Sequence, residues 1–120
     1  MDKKKILIVE DEATAIQFIQ DMFTVSHTNY NIDFAYTGQT GLQQLSTFNP
    51  DLILLDIVLP DMIWTDVVEQ FSQATSKPVI VVSGQVNKPT RNFCESKGFL
   101  FVSKPFKPFS LLQQISTLLP

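Results

Sequence analysis

Four short segments of the chain are wholly apolar, and each one ends at polar residues. An uninterrupted apolar run of this length is typical of a strand that is buried on both faces of a sheet. A weaker candidate at 32–36 lies between Asn31 and Thr37-Gly38. The four apolar segments lie at 6–9, 52–55, 79–82 and 100–102. With the weaker candidate they make five predicted strands.

Amphipathic segments separate these predicted strands. After the first strand, three- and four-residue spacing predicts a helix whose apolar face carries Ala15, Ile16, Ile19, Met22 and Phe23. The next helix is short and ends before Asn49-Pro50, because proline cannot continue a helix. In the fourth helix we place Pro89 in the first turn and Gly98 at the C-terminal cap.

The last helix carries the clearest local signal. Ser110 followed by Gln113 predicts a capping box ahead of one apolar face, formed by Leu111, Leu112, Ile115, Leu118 and Leu119. Apolar strands that alternate with amphipathic helices predict a parallel sheet covered on both faces. We therefore assign residues 1–120 to one α/β domain, a doubly wound flavodoxin-like fold with strand order 2-1-3-4-5 and five flanking helices.

The composition is that of a globular domain and narrows the choice of partners. Hydrophobic residues make up 44% and charged residues 18% of the 120 residues, and the net charge is −3. Without a basic excess, we expect neither direct nucleic-acid binding nor attachment to an anionic membrane. Cys94 is the only cysteine, so no disulfide can form within the chain. The apolar run behind the N-terminal lysines is too short for a signal peptide or a membrane span, and we expect a cytoplasmic protein.

Acidic, hydroxyl and basic side chains follow four of the predicted strands. Glu10 and Asp11 follow the first, Asp56 the third, Ser83 the fourth and Lys104 the fifth. Ligands of doubly wound folds bind beyond the carboxyl ends of the strands, where these side chains should meet. Crowded carboxylates repel one another unless a cation joins them, and hard oxygen ligands favour Mg²⁺. A carboxylate can also attack phosphorus and form an aspartyl phosphate, which a hydroxyl and an ammonium group would stabilise.

Characteristic motifs follow one another along nearly the whole chain. They are Ile-Leu-Ile-Val-Glu-Asp-Glu at 6–12, Ala-Tyr-Thr-Gly at 35–38, Pro-Asp-Leu-Ile-Leu-Leu-Asp at 50–56, Leu59-Pro60, Pro-Val-Ile-Val-Val-Ser-Gly at 78–84, and Gly98 through Lys104-Pro105-Phe106. In this order the motifs resemble the receiver domain of two-component response regulators.

The resemblance implies a phosphorylation site that depends on Mg²⁺. Asp56 would be the phosphoacceptor and one of the metal ligands. Asp11 would bind Mg²⁺ directly, Glu10 would reach it through water, and Val58 would supply its backbone carbonyl.

The resemblance also implies a switch. Ser83 and Gly84 would bind the phosphoryl group together with Lys104, and Phe101 would reorient when the Ser83 hydroxyl moves. The peptide bond before Pro105 would be cis, which proline makes accessible.

Partners follow from the same resemblance. The donor would be a sensor histidine kinase or a histidine phosphotransfer protein, since His27, the only histidine, is expected in a solvated loop. The domain would catalyse only its own phosphorylation and dephosphorylation, so it would not be an enzyme. It is either a stand-alone receiver or part of a longer protein, and its effector or output domain is unknown. A homodimer through the face of the fourth helix, fifth strand and fifth helix is a further expectation.

Three features depart from the family pattern. The acidic pair is Glu10-Asp11 where Asp-Asp is commoner, which should preserve metal binding. Trp64 stands where a glycine is expected, which predicts a different shape for the loop after Asp56. Val58 and Gln85 border the path of attacking water in this family, and neither is charged. Because Val58 cannot orient water, we predict slow loss of the phosphoryl group.

Three other functions are alternatives to the receiver. A hydrolase of the haloacid-dehalogenase type needs a second aspartate two residues after the nucleophile, where this chain has Val58. A flavin carrier on the same fold needs a Ser/Thr/Gly-rich phosphate loop after the first strand, where this chain has three acids. A pseudo-receiver that acts only as a scaffold disagrees with the full set of acidic, hydroxyl and lysine residues, although Trp64 keeps it open.

Overall fold

The structure, a computed structural model, describes residues 3–85 and 87–120 of the chain. Residues 1, 2 and 86 of the predicted domain lie outside the described part. Strands and helices alternate throughout the described ranges. In chain order they are β1 (Lys5–Val9), α1 (Ala13–Val25), β2 (Asn31–Ala35), α2 (Gly38–Thr47), β3 (Leu52–Leu55), α3 (Trp64–Ala74), β4 (Val79–Ser83), α4 (Lys88–Ser96), β5 (Leu100–Ser103) and α5 (Pro108–Leu118).

The strands form one parallel sheet in the order β2-β1-β3-β4-β5, so the predicted order is confirmed. Leu55 in the central strand lies opposite Val9 on one side and Val81 on the other. Ser83, the last residue of β4, lies opposite Ser103, the last residue of β5. Because all pairings are parallel, the chain leaves each strand at the same edge of the sheet. The residues that follow the strands are therefore brought to one edge.

Alternate side chains of each strand pack into two separate hydrophobic cores, one on each face of the sheet. Leu7 and Val9 pack with Phe71 of α3 on one face. Ile6 and Ile8 pack on the other face with Ile115 of α5 and with the buried residues of α1, which are Ile19, Met22 and Phe23. Each large apolar side chain that is fully buried contributes roughly 1.5–3 kcal/mol. Burial on both faces explains why β1, β3 and β4 contain continuous apolar runs, whereas β5 contains one although Leu100 is 44% exposed.

The ends of the elements differ from the sequence in places. The predicted capping box of Ser110 and Gln113 is wrong, because α5 begins at Pro108 with Lys107 as its N-cap. Proline has a fixed φ that suits the first helical position, so the helix starts two residues before Ser110. A capping box is found instead at α2, where Thr37 and Thr40 exchange hydrogen bonds.

Two predicted features of α4 are confirmed. Pro89 lies in its first turn, after an Asn87 cap. Gly98 follows the helix with φ +81°, a conformation that favours glycine at a helix C-terminus. The weak strand β2 spans Asn31–Ala35, one residue earlier at each end than predicted. None of the described helices has the length and apolar character needed to cross a bilayer.

Candidate functional site

The predicted site residues come from the carboxyl ends of the strands, and the sheet hydrogen bonds continue into them. The Glu10 amide donates to Ala35 O at 2.9 Å, and the Asp56 amide donates to Val9 O at 2.9 Å. In the same way the Lys104 amide donates to Ser83 O at 2.9 Å. The backbone of these residues is therefore held by the rigid sheet. Their side chains line one cleft, together with Asp11, Glu12, Val58, Gly84 and Gln85.

Three carboxylates converge in this cleft. Glu10, Asp11 and Asp56 each offer an oxygen, and the three oxygens lie within 4.8 Å of one another. Glu10 is 2% exposed and Asp56 is 8% exposed, whereas Asp11 is open to solvent. At such short separations, partly shielded from water, like charges repel strongly. The cluster therefore requires positive charge.

Lys104 supplies part of that charge. Its Nζ donates to Glu10 Oε1 at 2.6 Å and to Asp56 Oδ2 at 3.0 Å. Burial opposes its charged form, yet the hydrogen bonds and the negative charges of Glu10 and Asp56 outweigh that effect and raise the pKa of Lys104. Lys104 therefore stays protonated and bridges the two acids.

Burial dominates the behaviour of Glu10. Desolvation and the nearby charge of Asp56 raise the pKa of Glu10 above its ordinary value, although the Lys104 ammonium opposes this. Glu10 Oε2 accepts hydrogen bonds from the amides of Asp11 at 3.1 Å and Glu12 at 3.3 Å, which fix its carboxylate. One ammonium does not balance three carboxylates, and this all-oxygen donor set matches the ligands of a hard divalent cation such as Mg²⁺. The residues present therefore fit a metal ion of that class.

The Asp56 carboxylate is held in one orientation. The Val58 amide donates to Asp56 Oδ1 at 2.9 Å, while Lys104 holds the other oxygen. The Val58 side chain is 53% exposed beside the cleft. A carboxylate that is fixed in this way at the mouth of a cleft, beside an acidic cluster and an ammonium group, has the surroundings that phosphoryl transfer to an aspartate requires.

A sequence model described as the response regulator receiver domain matches residues 6–116 of this chain. The chain belongs to that family. It is 33% identical over 116 residues to the response regulator ArlR of Staphylococcus saprophyticus, a match that covers 96% of this chain and 52% of the relative. The ArlR of Staphylococcus aureus is 32% identical over the same length. The receiver domain thus spans about half the length of the curated relatives that it matches.

Solved structures agree with the fold of this receiver domain. The signal receiver domain of a putative Luxo repressor protein from Vibrio parahaemolyticus superimposes with a TM-score of 0.88, 25% identity, and coverage of 98% of this chain and 91% of that one. A CheY-like receiver domain protein from Methanospirillum hungatei gives a TM-score of 0.84 at 26% identity, covering 97% and 93%. The predicted flavodoxin-like class is confirmed by these neighbours, together with the observed sheet.

Ser83 and Phe101 do not line the cleft of this receiver domain. Ser83 is fully buried, and its Oγ accepts a hydrogen bond from the Gln85 amide at 3.2 Å. Phe101 is half-buried on β5, and the Arg91 guanidinium lies over its ring, 5.0 Å from the centroid. The bond between Lys104 and Pro105 is cis. The structure thus brings the acids, Val58, Gly84 and Lys104 together and leaves the hydroxyl and the aromatic ring outside.

Two residues after Asp56 contact neighbouring helices. Trp64 is the first residue of α3, and its ring packs edge-to-face on Phe93 of α4, with 5.6 Å between centroids. Earlier in the loop, Asp61 accepts hydrogen bonds from the amides of Gly38 at 2.8 Å and Gln39 at 3.0 Å. The segment from Asp61 to Trp64 therefore contacts the start of α2 at one end and α4 at the other.

Sequence reasoning missed two of the contacts described above, those of Arg91 and Asp61. Arg91 gave no signal, because its stacking on Phe101 depends on how α4 lies against β5. Asp61 gave a partial signal, since an acid directly after proline often caps backbone amides. Its partners lie 22 and 23 residues away, so the sequence did not identify them.

Proposed function

We propose that this receiver domain is a phosphoacceptor switch in which Asp56 takes a phosphoryl group from a phosphohistidine. The donor is the histidine of a sensor histidine kinase or of a histidine phosphotransfer protein. The observation that carries the proposal is the placement of the Asp56 carboxylate, which shares its cleft with Glu10 and Asp11 and lies 3.0 Å from Lys104 Nζ.

The transfer is a substitution at phosphorus. An Asp56 carboxylate oxygen forms the new P–O bond while the P–N bond to the donor imidazole breaks, and the electron pair stays on the imidazole nitrogen. Glu10, Asp11, Asp56 and the carbonyl of Val58 would hold Mg²⁺, which supplies charge neutralisation for the phosphoryl oxygens. Lys104 neutralises the phosphoryl group from its position beside Asp56 Oδ2.

The switch depends on groups that border the cleft. A phosphoryl group on Asp56 offers new acceptors, to which the Ser83 hydroxyl and the Gly84 amide donate. Ser83 Oγ then gives up its present bond from the Gln85 amide, and Phe101 takes a new rotamer. A local change in charge would in this way alter a surface on α4, β5 and α5.

The wider setting belongs to the same proposal. The domain acts in the cytoplasm, catalyses only its own phosphorylation and dephosphorylation, and binds neither nucleic acid nor membrane directly. Its downstream effector would recognise the face of α4, β5 and α5, which is also the face proposed for a homodimer. The relatives it matches are about twice as long, so an output segment in the same protein is one form that the effector can take.

Incubation with Mg²⁺ and acetyl phosphate tests the proposal directly. We expect intact mass to increase by one phosphoryl group, and we expect chelation of the metal to prevent this. Asp56→Asn should abolish the gain. Asp51→Asn is the matched control, because Asp51 immediately precedes β3 at the opposite edge of the sheet and should be silent. If the mass does not increase in a Mg²⁺-dependent way, the proposal is contradicted, and a pseudo-receiver that acts only as a scaffold becomes the better explanation.

A further inference from the structure

The chain after β4 is tied to the first turn of α4 by hydrogen bonds around Thr90. Thr90 is 1% exposed. Its hydroxyl donates to Asn87 Oδ1 at 2.8 Å and accepts from Gln85 Nε2 at 3.2 Å. Asn87, the N-cap of α4, also accepts from the Thr90 amide at 3.0 Å. The Thr90 hydroxyl therefore uses its proton on one side and a lone pair on the other, and it holds the Gln85 side chain against the helix.

Gln85 also belongs to the phosphorylation cleft. It lines that cleft with Asp56 and Lys104, and its backbone amide donates to Ser83 Oγ. Among the described residues that line the cleft, Gln85 alone has a neutral side chain that both donates and accepts hydrogen bonds. Val58 lines the same cleft and offers water no side-chain partner. The orientation of the Gln85 amide therefore decides whether a neutral group in the cleft can position water.

We propose that Thr90 is a positioning residue: it holds the Gln85 amide against α4 and so withholds it from the water that hydrolyses phosphorylated Asp56. This rests on the proposed function, in which Asp56 carries the phosphoryl group. With Nε2 bonded to Thr90, the planar amide is fixed as a unit and its oxygen cannot turn freely into the cleft. Thr90 thereby lengthens the life of the phosphorylated state without touching the reacting atoms.

The hydrolysis that it slows is a simple displacement. The water oxygen forms a bond to phosphorus while the bond from phosphorus to the Asp56 carboxylate oxygen breaks. The electron pair stays with the carboxylate, and the proton that water gives up passes to a phosphoryl oxygen. The products are free Asp56 and inorganic phosphate. An amide oxygen that accepts a hydrogen bond from the attacking water orients it for this step.

The test compares rates of phosphoryl loss from Asp56, followed by intact mass after the acetyl phosphate is removed. Thr90→Val keeps the volume and removes the hydroxyl, and we expect phosphoryl loss about threefold to tenfold faster, the effect of one hydrogen bond. Thr90→Ser keeps the hydroxyl and should match the unmodified protein. Adding Gln85→Met to Thr90→Val should return the rate to that of the unmodified protein.

Each outcome decides the matter. Equal rates for Thr90→Val and the unmodified protein, or acceleration that persists with Gln85→Met, would overturn the proposal while leaving phosphorylation of Asp56 intact. If Thr90→Val does not fold, Thr90→Ala removes the same hydroxyl and takes its place. The same acceleration is expected of it, and a rate equal to that of the unmodified protein overturns the proposal. If the unmodified protein takes no phosphoryl group, the proposed function fails as well.

Discussion

Replacing Lys104 by methionine tests the electrostatic argument for the cleft. The substitution keeps an apolar stem of similar length and removes the ammonium group that bridges Glu10 Oε1 and Asp56 Oδ2. The two carboxylates would then face each other with side-chain exposures of only 3% and 9%. The variant should therefore be less stable at neutral pH.

The size of the loss in stability follows from how deeply Lys104 and its two acidic partners are buried. Removing one partner of a fully buried ion pair costs about 3–5 kcal/mol, because the other charge is left without compensation. The Lys104 side chain is 25% exposed, so water screens part of the interaction, and we expect about 2 kcal/mol. For a domain of this size that corresponds to a melting temperature lower by about 8 °C.

Lower pH and added Mg²⁺ should each reduce the loss in stability. In the variant the folded-state pKa of Glu10 is raised further above its ordinary value of 4.5, so protonation favours the folded state. The deficit is then largest above that raised pKa and shrinks as the pH falls towards 4.5. A divalent cation can replace the missing charge, so Mg²⁺ should raise the melting temperature of the variant more than that of the unmodified protein.

Thermal melts in chelator and in Mg²⁺ provide the assay. Lys107→Met is the matched control, because Lys107 is an exposed lysine three residues further along and is not among the ion-paired lysines of the described chain. The reasoning is refuted if, in chelator, both variants melt within about 2 °C of the unmodified protein. That threshold is half of the change in melting temperature that corresponds to 1 kcal/mol. It is also refuted if Mg²⁺ stabilises the Lys104 variant no more than the unmodified protein.

Four further predictions use other parts of the structure. Val58→Asn should speed phosphoryl loss about threefold to tenfold, since its amide can orient water, and an unchanged lifetime would contradict this. Asp61→Ala should cost about 1 kcal/mol, because it removes the two hydrogen bonds that Asp61 accepts from the first amides of α2. Since those hydrogen bonds lower the pKa of Asp61, the deficit in chemical unfolding should be constant above pH 3.8 and vanish as the pH falls below it. Burial raises the pKa of Cys94 from 9.0 to about 11, so alkylation at pH 8 should be about a hundredfold slower than for a free thiol, and fast labelling would show that the site is open. Phe93→Ala should shift Trp64 emission to the red and cost about 3 kcal/mol in unfolding, since it removes the packed ring; an unchanged spectrum would argue against the contact.

Much of the fold could be predicted because strands that are buried on both faces appear in the sequence as runs of apolar residues. Residues 52–55 are all apolar because β3 lies at the centre of the sheet, and β4, the next strand, is buried throughout and apolar up to Ser83. Edge strands are less regular because burial is partial there: β5 contains an apolar run although its residues are half-buried or exposed, whereas β2 gives a weak signal. The predicted bounds of β2 were one residue late.

The start of α5 shows where local reasoning fails. Ser110 and Gln113 have the spacing of a capping box, yet Pro108 begins the helix earlier. Two local signals competed, and the fixed φ of proline prevailed over the capping preference of serine. At α2, two threonines form a box that the sequence did not announce, because threonine is uncommon at its third helical position.

The sequence by itself determined that the residues after β1, β3, β4 and β5 come to one edge of the sheet, because parallel strands deliver their carboxyl ends to one edge. It did not determine which of those side chains touch. Lys104 lies 94 residues from Glu10 and bridges it to Asp56, whereas Ser83 turns to the Gln85 amide. Only the tertiary structure decided these contacts, because a pattern of apolar and polar positions fixes the path of the backbone, while partners depend on how separate elements pack and orient side chains.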